Sequence, residues 1–213
     1  MVKTKVRPQG SQRGPGGGSD TLPPRPRWGD GNGEHMPDRA QTARLGLYIF
    51  LGALAMMFGA LALMYLLRLP DRDAYVFELP RLTWFGTALL MVSSITCQMT
   101  LHAARREKTK LALRGVWLTL GLGTLFLVFQ FVSWADVARQ LAGNPSHFFS
   151  ALFYVFTALH GVHLFGGLVW LGLMGWHLIS QPKPNPLTIE LGTTYWHFLG
   201  VLWVVLFGLM LLK

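Results

Sequence analysis

Between Phe148 and Leu178 the chain carries no Lys, Arg, Asp or Glu, a run long enough to cross a hydrocarbon layer of roughly 30 Å. In that layer backbone polar groups find no water, so the run satisfies them internally as a helix. His160 and His163 lie inside it. Three residues apart on a helix, they are expected on nearly the same face, about halfway through the bilayer. Polar groups at that depth need a partner and usually mark a role.

The rest of the chain is of the same kind. Of 213 residues, 51% are hydrophobic and 14% charged, whereas about a quarter are charged in an ordinary soluble domain. This is the composition of an integral membrane protein. The formal net charge of +9 does not point to nucleic acid, because the basic residues fall in the N-terminal tail and beside apolar runs, where they set topology. No base-reading motif accompanies them. The single cysteine, Cys97, sits in an apolar run, so no internal disulfide forms and Cys97 reads as a small buried hydrophobe.

Met1 to Thr42 is rich in Gly, Pro and charge, as in Gly14-Pro15-Gly16-Gly17-Gly18 and Pro23-Pro24-Arg25-Pro26-Arg27. Such a segment buries too little apolar surface to offset its ordering entropy, so residues 1–43 are read as a disordered, basic cytoplasmic tail. It contains no apolar h-region of a secretory signal. Residues 44–213 then form an all-α integral membrane bundle of five transmembrane helices, with spans expected at about 45–67, 82–101, 115–132, 148–178 and 195–212. Pro70 and Pro80, the basic run Arg105-Arg106-Glu107-Lys108-Thr109-Lys110, the turn Gly143-Asn144-Pro145, and Pro182, Pro184 and Pro186 separate them. Trp134 and Asp136 are expected to close the third span.

Lys and Arg concentrate in the tail and in the second loop, while acids balance them in the first and third. The positive-inside rule puts the N-terminus in the cytoplasm and the C-terminus outside. Trp84, Trp117, Trp134, Trp176 and Trp196 are expected near span ends, where indole rings favour the interface.

Drawn this way, the spans contain no Asp, Glu, Lys or Arg, which argues against an autonomous ion pump. Ser93, Ser94, Thr96, Gln98, Gln130 and Thr157 are the small polar residues left, of the type that hydrogen-bonds between membrane helices. Among the histidines, His160, His163 and His197 lie deepest, with His102, His147 and His177 nearer the interfaces. Haem ligation needs axial ligands on opposite sides of the iron, which two histidines on one helix face do not provide. Interhelical hydrogen bonding, or contact with a lipid headgroup or partner subunit, is the favoured reading. Gly161, Gly166, Gly167, Gly172 and Gly175, with Gly52 and Gly59, are expected to let another backbone approach closely. Met56-Met57-Phe58 and Phe126, Phe129 and Phe131 could line a quinone pocket, but a lipid-facing or core surface explains such residues as well and much more often.

The block Thr157-Ala158-Leu159-His160-Gly161-Val162-His163 resembles the T-G-x-H-G-x-H segment of subunit III of haem-copper terminal oxidases, and Tyr195-Trp196-His197-Phe198 matches the Y-W-H-F of that family. Leu45-Gly46, Phe58-Gly59-Ala60 and Tyr65 resemble the first helix of its five-helix bacterial form. Ser93-Ser94 and His102-Ala103 resemble the second helix, and Gly123-Thr124-Leu125-Phe126 with Gln130 the third. The similarity runs from about Arg44 to the end. Three acids usual in the family are replaced, by Leu54, Ser133 and Gly200, which separates this chain from any family role in proton uptake and leaves a scaffold role.

The resemblance implies an accessory subunit of a cytochrome c oxidase-type complex in aerobic respiratory electron transport, in the bacterial plasma membrane. It has no catalytic centre and binds no cofactor; haem and copper belong to partner subunits. Subunits I and II and phospholipid are the implied partners. His160, His163, Tyr195, Trp196 and His197 are the expected polar cluster for lipid or subunit contact. The electron donor, cytochrome c or quinol, is open. A subunit III-like protein of a nitric oxide reductase, a free-standing transporter and a haem-bearing cytochrome are the alternatives.

Overall fold

A computed structural model of the protein describes residues 39–68, 81–142, 148–180 and 186–212. These form five α-helices: α1 (Arg39–Arg68), α2 (Arg81–Arg105), α3 (Thr109–Leu141), α4 (Phe148–Ser180) and α5 (Pro186–Leu211). All five are long and apolar enough to cross a membrane. The expected tail as far as residue 38, the loop holding Pro70 and Pro80, the Gly143-Asn144-Pro145 turn, His147, Pro182 and Pro184 lie outside the described residues.

Helix ends differ from the expected spans for a consistent reason. Charged residues near a membrane surface stay helical and reach for the headgroups along their own stems. Thus α1 begins at Arg39, not Leu45, and α3 extends from Thr109 to Leu141 instead of from 115 to 132. Trp134 and Asp136 lie within α3, where Arg139 pairs with Asp136 at 3.0 Å. Pro186 does not break α5 but opens it: at the first helical position a missing N–H and a fixed φ cost nothing. Glu190 therefore belongs to α5, in the turn that precedes the expected span.

Helices α2 and α3 pack most extensively and form an antiparallel hairpin. Buried positions recur along α2 at Thr83, Gly86, Leu90, Ser93, Cys97, Thr100 and Ala104, and along α3 at Ala112, Val116, Thr119, Gly123, Phe126, Gln130, Ser133 and Val137. Alternating steps of three and four make this the seam of a left-handed coiled coil. The turn between the two helices is tight. Lys108 N–H donates to Ala103 O and Glu107 N–H to Ala104 O, both at 3.0 Å, with Glu107 at φ 55°. That is a Schellman ending, with glutamate at the position glycine usually occupies.

Helix α4 packs on α3 and α5, α5 also on α2, and α1 on α5 and α4. One core cluster, including Phe126, Leu164, Leu168, Trp196 and Trp203, fills the space between α2, α3, α4 and α5. A second, including Leu54, Phe58, Tyr65, Phe156 and Leu206, holds α1 on α4 and α5. Phe58 and Phe126 are buried, whereas Met56 and Phe131 are exposed on the outer surface, which is the packing reading of the Met and aromatic residues.

The glycines of α1 do not let another backbone approach, because a Cβ at Gly46, Gly52 or Gly59 would meet nothing within 4 Å. On α4, Gly166 likewise meets nothing, but two others receive side chains: a Cβ at Gly167 would stand 3.3 Å from Trp196 Cζ3 and one at Gly175 3.3 Å from Val116 Cγ1. Close backbone approach occurs at Gly115 of α3, where a Cβ would stand 3.4 Å from Thr100 Cα and collide with its hydroxyl.

Candidate functional site

In a medium without water, small polar side chains bond across helices, and α2 does so repeatedly. Trp196 Nε1–H donates to Ser93 Oγ at 3.0 Å and Trp203 Nε1–H to Thr87 Oγ1 at 3.0 Å. Thr96 and Thr119 hydroxyls lie 2.8 Å apart, and Trp134 Nε1–H donates to Thr157 Oγ1 at 2.9 Å. Cys97 is buried beside Thr193 Oγ1 at 3.6 Å. The residue types named from sequence thus serve mainly as interhelical bonds.

The five residues expected as one polar cluster occupy four separate places. His160 is fully buried beside two aromatic rings that touch each other, its centroid 6.0 Å from Phe126 and 4.9 Å from Trp203. His163 turns to α1, 6.0 Å from the Phe58 ring, with Nδ1 2.7 Å from Leu159 O. The offset is geometric, since three residues fall about 60° short of a full helical turn. Tyr195 joins His163 by donating from its hydroxyl to His163 O at 2.9 Å. Trp196 is 1% exposed in the core, so it is not an interfacial anchor. Its indole fits between Gly123 of α3 and Gly167 of α4.

His197 lies about 200° around α5 from Tyr195, on the opposite side. Its Nε2 is 3.1 Å from Gln98 Oε1 and its Nδ1 2.5 Å from Ser94 Oγ. The amide oxygen only accepts, so Nε2–H donates to it, while Nδ1 and the serine hydroxyl share the second bond. The two bonds fix the orientation of the ring, which faces a groove of ≈ 840 Å³. Met91, Ile95 and Met99 of α2 and Leu118 of α3 give this groove apolar walls, and Arg106, Lys108 and Arg114 lie at its far end. A side chain at Gly200 would come 3.9 Å from Ser94 Oγ and 4.0 Å from Met91 Cε. Glycine there leaves the inner end uncharged. Leu54 is packed in the α1 core and Ser133 in the α3 seam.

Sequence reasoning missed Glu190. Its carboxylate accepts from Arg44 of α1 at 3.0 Å and from Arg105 of α2 at 3.4 Å, tying three helices at one end of the bundle. The signal was present as Pro186 followed by Leu187-Thr188-Ile189-Glu190, a proline-led helix start. Among the described residues, no three His, Cys, Asp or Glu side chains converge as a metal site.

Apolar groove, basic end and bonded histidine suit an amphiphile or a neighbouring membrane helix, and the comparisons agree with such a setting. A family model described as Cytochrome c oxidase subunit III matches residues 74–212. A protein of Staphylococcus saprophyticus named "Probable quinol oxidase subunit 3" is 31% identical over 173 residues, covering 77% of this chain and 85% of that protein. Proteins of the same name from Staphylococcus epidermidis, over 178 residues, and Staphylococcus aureus, over 173, are also 31% identical with the same coverage. The five membrane helices, the ordered motifs they carry and these matches lead to one conclusion: the chain belongs to the cytochrome c oxidase subunit III family.

Proposed function

We propose that this chain is the accessory subunit III of a haem-copper terminal oxidase in aerobic respiration, and that it holds phospholipid in the groove between α2 and α3 while packing beside subunits I and II. The observation that carries the lipid reading is the continuity of the groove, from the apolar Met91, Ile95 and Met99 to the cationic Arg106, Lys108 and Arg114. Acyl chains fit the first part. A phosphate oxygen suits the second, where Arg can bond it through two N–H groups.

Redox chemistry in the complex belongs to the partner subunits, and this chain contributes shape, lipid and contact surface. His163 with Tyr195, and His197 with Ser94 and Gln98, are the polar contacts exposed enough to meet a lipid headgroup or a neighbouring subunit. His160 acts from inside the bundle. The end bearing Arg44, Arg105, Arg106, Lys108 and Arg114 is the cytoplasmic end in the bacterial plasma membrane, as the positive-inside rule supports. Because the relatives are named for quinol oxidase, quinol stands beside cytochrome c as the electron donor to assay.

The test is to isolate the chain from its native membrane in mild detergent, record the haem spectrum and identify the proteins that accompany it. Two larger oxidase subunits, with their haem, are expected. A colourless chain without partners, or haem held by the chain alone, would overturn the assignment. Arg106→Gln, Lys108→Gln and Arg114→Gln together are expected to lower the phospholipid retained per complex and leave its haem content unchanged.

A further inference from the structure

Four side chains in the bundle interior are buried with polar atoms that have no hydrogen-bond partner: Thr83 Oγ1, Gln130 Nε2, Ser133 Oγ and both ring nitrogens of His160. Among the described residues these are the only buried side-chain N and O atoms in that condition. Thr83 is 3% exposed, Gln130 5%, Ser133 1% and His160 0%. Elsewhere the hydroxyls and indoles of the interior pair with one another, as Ser93 does with Trp196 and Thr157 with Trp134. Orphaned atoms gathered in four inward positions therefore need an explanation.

They fall within about one helical turn of one another along the bundle. Gly86 faces the Phe126 ring, at 3.4 Å from a Cβ, and α2 and α3 are antiparallel. One turn toward the same end from that pair lie Thr83 on α2 and Gln130 on α3, both on the seam. The contact of Gly161 with Leu127 and the bond from Trp134 to Thr157 bracket His160 at the height of Gln130 and Ser133. From the side, the Trp203 ring covers His160 and bonds Thr87 of α2, closing the layer with α5.

The chemistry of the set selects its occupant. Two hydroxyls, an amide N–H₂ and a neutral imidazole offer donors and acceptors together, with no carboxylate or thiolate to neutralise a metal ion and no cationic member to hold an anion. Water matches such a set, because a buried water makes about three hydrogen bonds and takes and gives both kinds. We propose that Thr83, Gln130, Ser133 and His160 form an internal hydration site in which about two water molecules bond α2, α3 and α4 to one another. This site is separate from the lipid groove and does not depend on the proposed function.

X-ray radiolytic hydroxyl labelling of the native complex tests it, because radicals made from bound water oxidise side chains that bulk water does not reach. His160 is expected to be modified, although it has no exposed surface. It should retain ordinary oxygen in its label when bulk water is replaced by H₂¹⁸O just before exposure. No modification of His160, at a dose that modifies half-buried His163, overturns the proposal. As a second readout, Gln130→Leu is expected to shift the unfolding midpoint down and to remove most of the His160 label, since it takes a partner from the shared water. If the atoms are instead dry and unpaired, the apolar replacement relieves a buried polar group and the midpoint rises, which also overturns it.

Discussion

At the scale of single residues, the bundle is organised by what fits beside Trp196. The indole is held by its bond to Ser93 and confined by Gly123 and Gly167. A Cβ at Gly123 would stand 2.7 Å from Trp196 Cη2 and 2.8 Å from Leu168 Cδ2. The indole cannot yield, because Trp196 is 1% exposed and is backed by α4. Gly123→Ala is therefore expected to destabilise the chain by about 1–3 kcal/mol, the usual cost of overpacking, measured by unfolding in sodium dodecyl sulfate. Gly161→Ala should act in the other direction. Its Cβ would find only Leu127 Cδ2 at 3.8 Å, and the gain in helix propensity is up to ~1 kcal/mol. Equal losses at both positions would mean that glycine serves these helices for a reason other than side-chain space.

At the scale of the element, the α2–α3 hairpin carries a residue against its preference. Glu107 closes the Schellman turn at φ 55°, a region in which a Cβ crowds the following carbonyl. Glu107→Gly is expected to stabilise the hairpin by about 0.5–1 kcal/mol, the relief being partly offset by the larger entropy of glycine in the unfolded chain. A loss of stability on this exchange would show that the Glu107 carboxylate makes a compensating interaction. Charge-free runs made the existence of each helix legible, but not where it ends. Arg39, Lys110, Arg114 and Arg139 are all helical, since basic stems can snorkel from within a helix, and Pro186 is a start instead of a stop. The same limit applied to the site. Ser93, Thr96 and Thr157 could be recognised as interhelical bonding residues by type, yet their partners depend on the register of α2 against α3 and α5. No local pattern encodes that register, so His160, His163 and His197 could be named without being separated.

At the scale of the whole molecule, α1 stands apart from the other four helices. Among the described residues it touches only α4 and α5, and 17% of its most apolar window is buried, against 44% for α4 and for α5. The family model begins beyond it, at residue 74. Two features hold it: the apolar contacts of Leu51, Leu54, Phe58 and Tyr65 with the α4–α5 face, and the bridge from Arg44 through Glu190 to Arg105. The bridge side chains are 46%, 30% and 54% exposed, so solvent and salt screen it. Its contribution is on the order of 1 kcal/mol or less. The apolar contacts are stronger, since emptying the site of a buried Phe costs about 3–5 kcal/mol in protein cores. Loss of α1 is thus expected to precede loss of the α2–α3 hairpin. With fluorescent labels on α1 and α5, separation should appear at a lower detergent denaturant concentration than separation of labels on α2 and α3. Phe58→Ala should widen that gap strongly. Glu190→Gln should widen it slightly, and high salt should abolish the difference between Glu190→Gln and the parent chain. Simultaneous separation of all labels would instead mean that the five helices unfold as one unit, with α1 coupled to the core more tightly than its contacts account for.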